Sequence, residues 1–395
     1  DLNTREMELI YSHDSFDVAP EDIVYSGDST EIIGVKLIGD LPEQYYFSDH
    51  PEVALHQSLD AAFPRERVRV TSTTLSGDRA VIYVSGSQRP GNYYLMDTDS
   101  LGLTEIGNAN TGLPLAEMAE VHPFIIKNRE NMTLHGLVTL PKNETEPLPM
   151  IVIPHGGPIG IRDTFSFDRE AQFFAHHGYV VLQVNFRGSG GFGNEFAVSG
   201  YEQWGDGMIK DISLAVSWAV QNEIADKDRI CIMGGSYGAF ASLASVVQEP
   251  EKYQCAIGYA GVYDLTELSK SDIPFNPGGS KYLDDAVGED EAEMRRQSPL
   301  FHTDKIEVPV FLAHGGEDRR APKSQYEDLL EALEDNNKEV ASLYKKSSIN
   351  LLLISGLFFV LINKRRQVLK YSDDNNINLI IYFRRNNSKI IKIYF

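Results

Sequence analysis

A serine flanked by glycines follows an apolar segment in the second half of the chain. Residues 229–233 are typical of a buried strand, and the next five residues read Gly-Gly-Ser-Tyr-Gly with Ser236 at the centre. Residues 239–247 contain neither glycine nor proline and predict a helix. A serine on a sharp turn between a strand and a helix exposes its hydroxyl, because its small neighbours do not cover it. Ser236 is therefore a candidate nucleophile for acyl transfer.

A nucleophilic serine needs a general base and a carboxylate that orients this base. Residues 308–313 predict another buried strand, which leads into His314-Gly315-Gly316-Glu317-Asp318. Asp318 is thus predicted to lie in a loop at the carboxyl end of a strand, where catalytic groups collect in open α/β sheets. In α/β-hydrolases the order along the chain is serine, acid, histidine. The last histidine here is His314, so no candidate base follows Asp318 within the 395 residues.

The elements around these residues alternate between strand and helix. The chain pattern predicts a hairpin within 124–138, strands at 150–153, 179–186, 255–259 and 340–344, and helices at 168–177, 207–221 and 322–336. Near-continuous apolar strands that alternate with helices predict a mostly parallel sheet covered on both faces. The expected fold class is therefore α/β, with an α/β-hydrolase domain.

The first 115 residues have a different pattern, in which short alternating strands are separated by turns. Two Ser-Gly-Asp turns lie 50 residues apart (28 to 78), which is close to the length of one β-propeller blade. Two such turns alone are weak evidence for a propeller, because Gly-Asp turns occur in many β proteins.

Residues 347–395 differ in composition from the rest of the chain. They contain two acidic residues, Asp373 and Asp374, whereas the preceding 346 residues contain 55. They also lack alanine, proline and histidine. We interpret them as an aberrant tail produced by a reading-frame error or by a true frameshift, which an uninterrupted reading frame in the genomic DNA would contradict. The apolar run 349–362 is shorter than the roughly 20 residues of a membrane-spanning helix, which argues against a membrane anchor.

The composition of the chain argues against several classes of function. The formal net charge of −21 repels phosphate backbones and argues against nucleic-acid binding. Cys231 and Cys255 lie in apolar, strand-like segments, so we expect buried thiols rather than a disulfide, and no metal or cofactor site is predicted.

The chain begins at Asp1 without a signal peptide and is expected to be a fragment. Its compartment therefore stays open between the cytoplasm and, if a signal peptide preceded Asp1, the periplasm or the exterior. The oligomeric state also stays open.

Five motifs occur in an order that resembles the prolyl oligopeptidase family of serine peptidases, in particular its acylaminoacyl-peptidase and dipeptidyl-aminopeptidase-like branch. The motifs are His155-Gly156-Gly157-Pro158, residues 185–193 (NFRGSGGFG), residues 203–206 (QWGD), the Gly-Gly-Ser-Tyr-Gly turn and residues 314–322 (HGGEDRRAP). The resemblance implies the last blades of a β-propeller at 1–115 and an α/β-hydrolase domain at 116–346, followed by the aberrant tail at 347–395.

The resemblance also implies roles for individual residues. Ser236 would be the nucleophile and Asp318 the orienting acid. The backbone N–H groups of Tyr237 and of Gly157, or alternatively Gly156, would stabilise the oxyanion.

Several other polar residues near these motifs have more than one interpretation. Arg187 and Arg320 are candidates for binding a substrate carboxyl or carbonyl group, with a structural salt bridge as the alternative. His155 and His314 are expected to be structural, because the order of the triad places the base after the acid. Trp204 is expected to lie in the core.

The family carries its histidine in a Gly-His-Gly-type loop after the last strand, whereas residues 345–350 here read KKSSIN. The resemblance therefore implies hydrolysis of peptide bonds through an acyl-enzyme on Ser236, while this chain is expected to be nearly inactive. The alternatives are an esterase or thioesterase on the same fold, and a non-catalytic pseudo-enzyme or truncated gene product.

Overall fold

The computed structural model describes residues 7–110, 112–142, 147–268, 279–347, 380–385 and 388–392. The strands are β1 (Ile23–Tyr25), β2 (Ile32–Ile38), β3 (Pro42–Tyr46), β4 (Arg67–Thr73), β5 (Arg79–Gly86), β6 (Arg89–Asp97), β7 (Gly102–Asn108), β8 (Glu120–Lys127), β9 (Thr133–Leu140), β10 (Leu148–Val152), β11 (Val180–Asn185), β12 (Ala225–Gly235), β13 (Cys255–Tyr259), β14 (Val310–Gly315), β15 (Val340–Lys345), β16 (Ile380–Arg385) and β17 (Ser388–Lys392).

The α-helices are α1 (Glu52–Ala62), α2 (Arg169–His176), α3 (Asn194–Val198), α4 (Gly207–Gln221), α5 (Tyr237–Gln248), α6 (Leu265–Leu268), α7 (Gly279–Val287), α8 (Glu291–Gln297) and α9 (Lys323–Asp335). Short 3-10 helices lie at Pro20–Asp22, Leu115–Glu117, Pro250–Lys252 and Pro299–Lys305.

Two antiparallel sheets form the amino-terminal part of the chain. The first contains β1 to β3 and the second contains β4 to β7, each in sequential order. An up-and-down sheet of four strands is the architecture of a propeller blade. The predicted short strands are confirmed, but the sequence pattern missed β3 and α1. Leu59 of α1 and Val68 of β4 belong to one small hydrophobic core, which is separate from the cores of the large sheet. The alternating pattern of the neighbouring strands gave no sign of this helix.

The large sheet carries the candidate catalytic residues. Its order among the described residues is β17-β16-β15-β14-β13-β12-β10-β11-β9-β8. The six strands from β15 to β11 in this order are parallel, while the predicted hairpin of β8 and β9 pairs antiparallel at one edge. The mostly parallel α/β sheet expected from the sequence is confirmed.

Helices cover the two faces of this sheet. Alternate residues of a strand point to opposite faces, so Val152 of β10 packs with α4 and α5, whereas Ile151 packs with Phe174 of α2. Helix α4 has the bounds that the sequence predicted. Helix α2 begins after Asp168, whose carboxylate accepts a hydrogen bond from the Ala171 amide at 2.7 Å and caps the helix.

The expectation of two buried thiols is wrong. Cys231 and Cys255 form a disulfide with a Cα–Cα distance of 4.8 Å. The two residues are direct partners in the parallel pair of β12 and β13, which brings their side chains together on one face of the sheet. Their spacing of 24 residues gave no indication of this register.

The predicted tail lies mostly outside the described residues, as does the whole apolar run 349–362. Its described part forms β16 and β17, and β16 pairs antiparallel with β15. Within the described residues, none of the helices has the length and apolar character needed to cross a lipid bilayer.

Candidate active site

Ser236 occupies a strained turn between β12 and α5. Its φ and ψ are 55° and −121°, a combination that costs a non-glycine residue roughly 1–3 kcal/mol. The Ser236 amide donates to the Tyr259 carbonyl at 3.1 Å, which fixes the turn to the neighbouring strand. Ser236 is exposed, while the residues of α5 that follow it are buried almost to the end of the helix. The fold therefore holds this hydroxyl out to solvent at the carboxyl edge of the sheet.

The glycines around Ser236 are required by close packing of the turn. A Cβ on Gly238 would lie 2.2 Å from the Pro154 carbonyl oxygen, and one on Gly234 would lie 2.6 Å from the Gly238 backbone. A Cβ on Gly235 would lie 2.2 Å from the Tyr259 ring. Real Cβ atoms do not make such contacts, so the Gly-x-Ser-x-Gly pattern follows directly from this geometry.

The His-Gly-Gly-Pro loop lies beside the serine. A Cβ placed on Gly156 would be 3.4 Å from Ser236 Cβ and 3.0 Å from the Gly235 carbonyl oxygen. Gly157 has φ of 60°, which favours glycine. Between described residues, no backbone hydrogen bond uses the N–H of Tyr237 or of Gly157. Tyr237 is also the first residue of α5, whose dipole favours negative charge at this end. The loop and the helix can thus stabilise the oxyanion that forms on a carbonyl oxygen when Ser236 attacks the carbonyl carbon.

His155 anchors this loop from inside the protein. Its Nε2 lies 2.8 Å from Ser189 Oγ, and its ring stacks on Phe186 with centroids 4.3 Å apart. Burial disfavours the imidazolium and lowers the pKa of His155 to about 4. These contacts agree with the structural role expected for His155.

Asp318 lies where the sequence predicted, in the loop that follows β14. Sheet register places Gly235, Tyr259 and Ala313 in one row across β12, β13 and β14, so Ser236 and the Asp318 loop leave the same edge of the sheet. Asp318 Oδ1 accepts hydrogen bonds from the backbone amides of Arg320 at 2.8 Å and Ala321 at 3.0 Å. These bonds hold the carboxylate in place. Among the described residues, Oδ2 has no such donor and stays available to orient a base.

The last residues of β15 lie against the loop that carries Asp318. The Gly316 amide donates to the Lys345 carbonyl at 2.8 Å, and a Cβ on Gly316 would lie 2.3 Å from the Tyr344 hydroxyl. Lys345, the first residue of the segment 345–350, therefore lies against the loop that carries Asp318, and this segment contains no histidine. His314 cannot replace it, because its ring is fully buried and stacks on Tyr326 at 5.5 Å. Burial lowers the pKa of His314 as well.

Arg187 is engaged within the protein. Its Nε and Nη2 donate to the two oxygens of Asp211 at 2.8 and 3.0 Å, and its Nη1 donates to Glu130 at 3.0 Å. This geometry favours the structural alternative for Arg187 over substrate binding. The side chain of Arg320 is exposed on the Asp318 loop, where its backbone holds the carboxylate. Trp204 lies in the core against Tyr237, with ring centroids 5.2 Å apart, as expected.

Asp163, which none of the sequence motifs indicated, is a shielded carboxyl group near this edge of the sheet. Its Oδ1 accepts from Gln183 Nε2 at 3.2 Å, while Oδ2 is buried without a hydrogen-bond partner. Burial, with repulsion from Asp168 as the next cause, raises the pKa of Asp163 to about 8. No local pattern marks such a residue, because its surroundings come from β11 and from the loop before α2.

The raised pKa predicts a pH-dependent stability. In the unfolded chain the Asp163 carboxyl group ionises near pH 4, whereas in the folded chain it stays protonated up to about pH 8. The free energy of unfolding should therefore fall as the pH rises from about 4 to about 8, by on the order of a few kcal/mol. Asp163→Asn removes the ionisation and should raise Tm at pH 8 but leave it nearly unchanged at pH 4. Thermal unfolding at both pH values tests this, and an equal change at both would contradict the assignment.

The fold and the turn that carries Ser236 define the class of this protein as an α/β-hydrolase. Residues 165–348 match the model of the prolyl oligopeptidase family, Peptidase_S9. The segment 165–348 therefore belongs to this family. The resemblance seen in the sequence motifs is thereby confirmed.

Two relatives illustrate the similarity. Dipeptidyl aminopeptidase BIII of Pseudoxanthomonas mexicana is 30% identical over 294 residues, which are 71% of this chain and 42% of that protein. The human acylamino-acid-releasing enzyme is 33% identical over 219 residues, which are 53% of this chain and 29% of that enzyme. The chain thus spans less than half the length of these relatives.

Solved structures show the same fold. A puromycin-hydrolysing peptidase of Mycobacterium tuberculosis is 26% identical with a TM-score of 0.64, covering 82% of this chain and 49% of that one. The uncomplexed acylaminoacyl peptidase of Pyrococcus horikoshii is 27% identical with a TM-score of 0.61, covering 75% and 50%.

Proposed function

We propose that this chain carries the acylation centre of a serine peptidase that cleaves oligopeptides. The observation that supports this most directly is the exposed, strained Ser236 beside the His-Gly-Gly-Pro loop, with the Asp318 carboxylate held at the same edge of the sheet. Membership of a peptidase family and the names of the relatives favour peptides over other acyl substrates. We also propose the division into 1–115, 116–346 and 347–395 that the sequence predicts.

In the proposed reaction, Ser236 Oγ attacks the carbonyl carbon of the scissile peptide bond, and its proton passes to a base. The carbonyl oxygen becomes an oxyanion, which the N–H groups of Tyr237 and of Gly157 or Gly156 stabilise. The C–N bond then breaks, and the base gives its proton to the leaving amine. Water hydrolyses the resulting ester and releases the acid product and Ser236. Asp318 would orient the base throughout.

No histidine follows Asp318 within the 395 residues, so the expected base is missing from this sequence. Loss of one member of a triad leaves only about 10³–10⁴-fold catalysis over water. Ser236 Oγ therefore stays mostly protonated and weakly nucleophilic in this chain. Free imidazole, which can reach the exposed Ser236 from solvent, should restore part of the missing proton transfer.

We expect Ser236 to resist a fluorophosphonate probe and to react faster when imidazole is added. The measurement is the rate of labelling, with the modified residue identified by mass spectrometry. Rapid stoichiometric labelling without imidazole would show that a base is present after all. Labelling of other serines alone, with or without imidazole, would contradict the proposed centre. Comparing peptide anilides with nitrophenyl esters under imidazole then separates a peptidase from an esterase.

A further inference from the structure

We propose that Arg162 is a positioning residue, through which the amino-terminal sheets hold the His-Gly-Gly-Pro loop in the geometry that an oxyanion site needs. Arg162 follows Gly157 by five residues and touches none of the reacting groups. The inference rests on the proposed function, because it concerns the loop that would stabilise the oxyanion.

Arg162 joins the loop to β2. Its Nη2 donates to the Ile38 carbonyl at 2.7 Å, across 124 residues of sequence. Its guanidinium also lies over two aromatic rings, 5.6 Å from the centroid of Phe16 and 5.2 Å from that of Phe192. A planar guanidinium can stack and donate in its plane at once, which a lysine cannot do. Arg162 is therefore fixed from both sides of the boundary between the amino-terminal sheets and the hydrolase fold.

The neighbouring loop, residues 188–193, also contacts the amino-terminal part of the chain at this boundary. The Asp17 amide donates to the Gly191 carbonyl at 3.0 Å, and the Gly193 amide donates to Asp17 Oδ2 at 3.2 Å. A Cβ on Gly191 would lie 2.7 Å from the Arg162 guanidinium, so the glycine lets this group pass closely. Phe16 and Phe192 lie 5.7 Å apart and complete the contact.

Backbone bonds carry this constraint to the His-Gly-Gly-Pro loop. The Gly160 amide donates to the Gly188 carbonyl at 2.9 Å, and the Gly190 amide donates to the Ile161 carbonyl at 3.0 Å. Ser189 in the same loop bonds His155. The two loops therefore form one unit, and Arg162 fixes that unit to the amino-terminal sheets. A small displacement of an oxyanion donor can cost on the order of 10²-fold in turnover.

Arg65 provides a matched control. Its Nη2 donates to the Val121 carbonyl at 3.4 Å, and its guanidinium lies 5.3 Å from the Phe165 centroid. It thus makes the same two kinds of contact across the same boundary. Within the described residues, however, it contacts neither residues 155–162 nor residues 188–193.

The experiment compares Arg162→Met and Arg65→Met in the full chain. Arg162→Met should speed amide hydrogen exchange in residues 156–162, and it should lower kcat of imidazole-supported ester hydrolysis about 10-fold or more, with KM within about 2-fold. Arg65→Met should leave the hydrogen exchange of residues 156–162 and kcat nearly unchanged. The two variants should lower Tm by comparable amounts. Equal effects of the two variants, a change in KM alone, or unchanged exchange in Arg162→Met would overturn the proposal. If the unmodified chain shows no imidazole-dependent hydrolysis, the proposed function fails, while hydrogen exchange still decides the role of Arg162.

Discussion

Ser236→Ala should abolish the hydrolysis of a nitrophenyl ester that imidazole supports in the unmodified chain. Imidazole alone cleaves such esters slowly, so the variant defines this background rate. The unmodified chain should exceed the background by about 10-fold or more, because a general base typically contributes about 10²–10⁴-fold. The gain depends on Ser236 being exposed at the strained turn and on the adjacent N–H groups that we propose to stabilise the oxyanion. Initial rates against imidazole concentration measure the effect.

Two further variants define the origin of this gain. Asp318→Asn should reduce it, because a neutral amide orients and stabilises an imidazolium less well than the carboxylate does. Ser58→Ala changes a serine on α1 whose hydroxyl donates to the Ala54 carbonyl, and it should leave the rate unchanged. An imidazole-dependent rate that survives in Ser236→Ala would assign the chemistry to a different group.

Arg187→Met should lower the free energy of unfolding by about 3–5 kcal/mol, which is a large part of the stability of an ordinary domain. The Asp211 side chain is 1% exposed, and Arg187 is 7% exposed. Removing the guanidinium leaves a buried carboxylate without its counter-charge. Two neutral donors remain in the variant, Asn128 Nδ2 at 3.1 Å from Asp211 Oδ1 and the backbone amide of residue 187 at 3.1 Å from Oδ2, and neither supplies a positive charge. Urea unfolding of both proteins measures the difference.

The partner variants separate charge burial from packing. In Arg187→Met/Asp211→Leu both charges are gone, so the double variant should recover much of the lost stability. Arg229→Met breaks an exposed pair with Asp226, whose side chains are 53% and 31% accessible, and should cost no more than about 1 kcal/mol. If Arg187→Met is as mild as Arg229→Met, Arg187 is not the structural centre that its contacts indicate.

The amino-acid sequence by itself determined the α/β class, the serine turn and the Asp318 loop. Each of these depends on residues that are neighbours in the chain. Apolar strands, helical periodicity and the Gly-x-Ser-x-Gly motif are local signals, although the contacts that require glycine at 235 and 238 come from the distant Tyr259 and Pro154. The position of α4 could be predicted to the residue for the same reason.

Only the tertiary structure decided the features that depend on distant residues. The register of β12 and β13 pairs Cys231 with Cys255, and the approach of Asp211 gives Arg187 its structural role. The positioning role that we propose for Arg162 depends on its contacts with Ile38 and Phe16, which are more than a hundred residues away in the sequence. Such contacts form when elements pack together, and no window of neighbouring residues contains both partners.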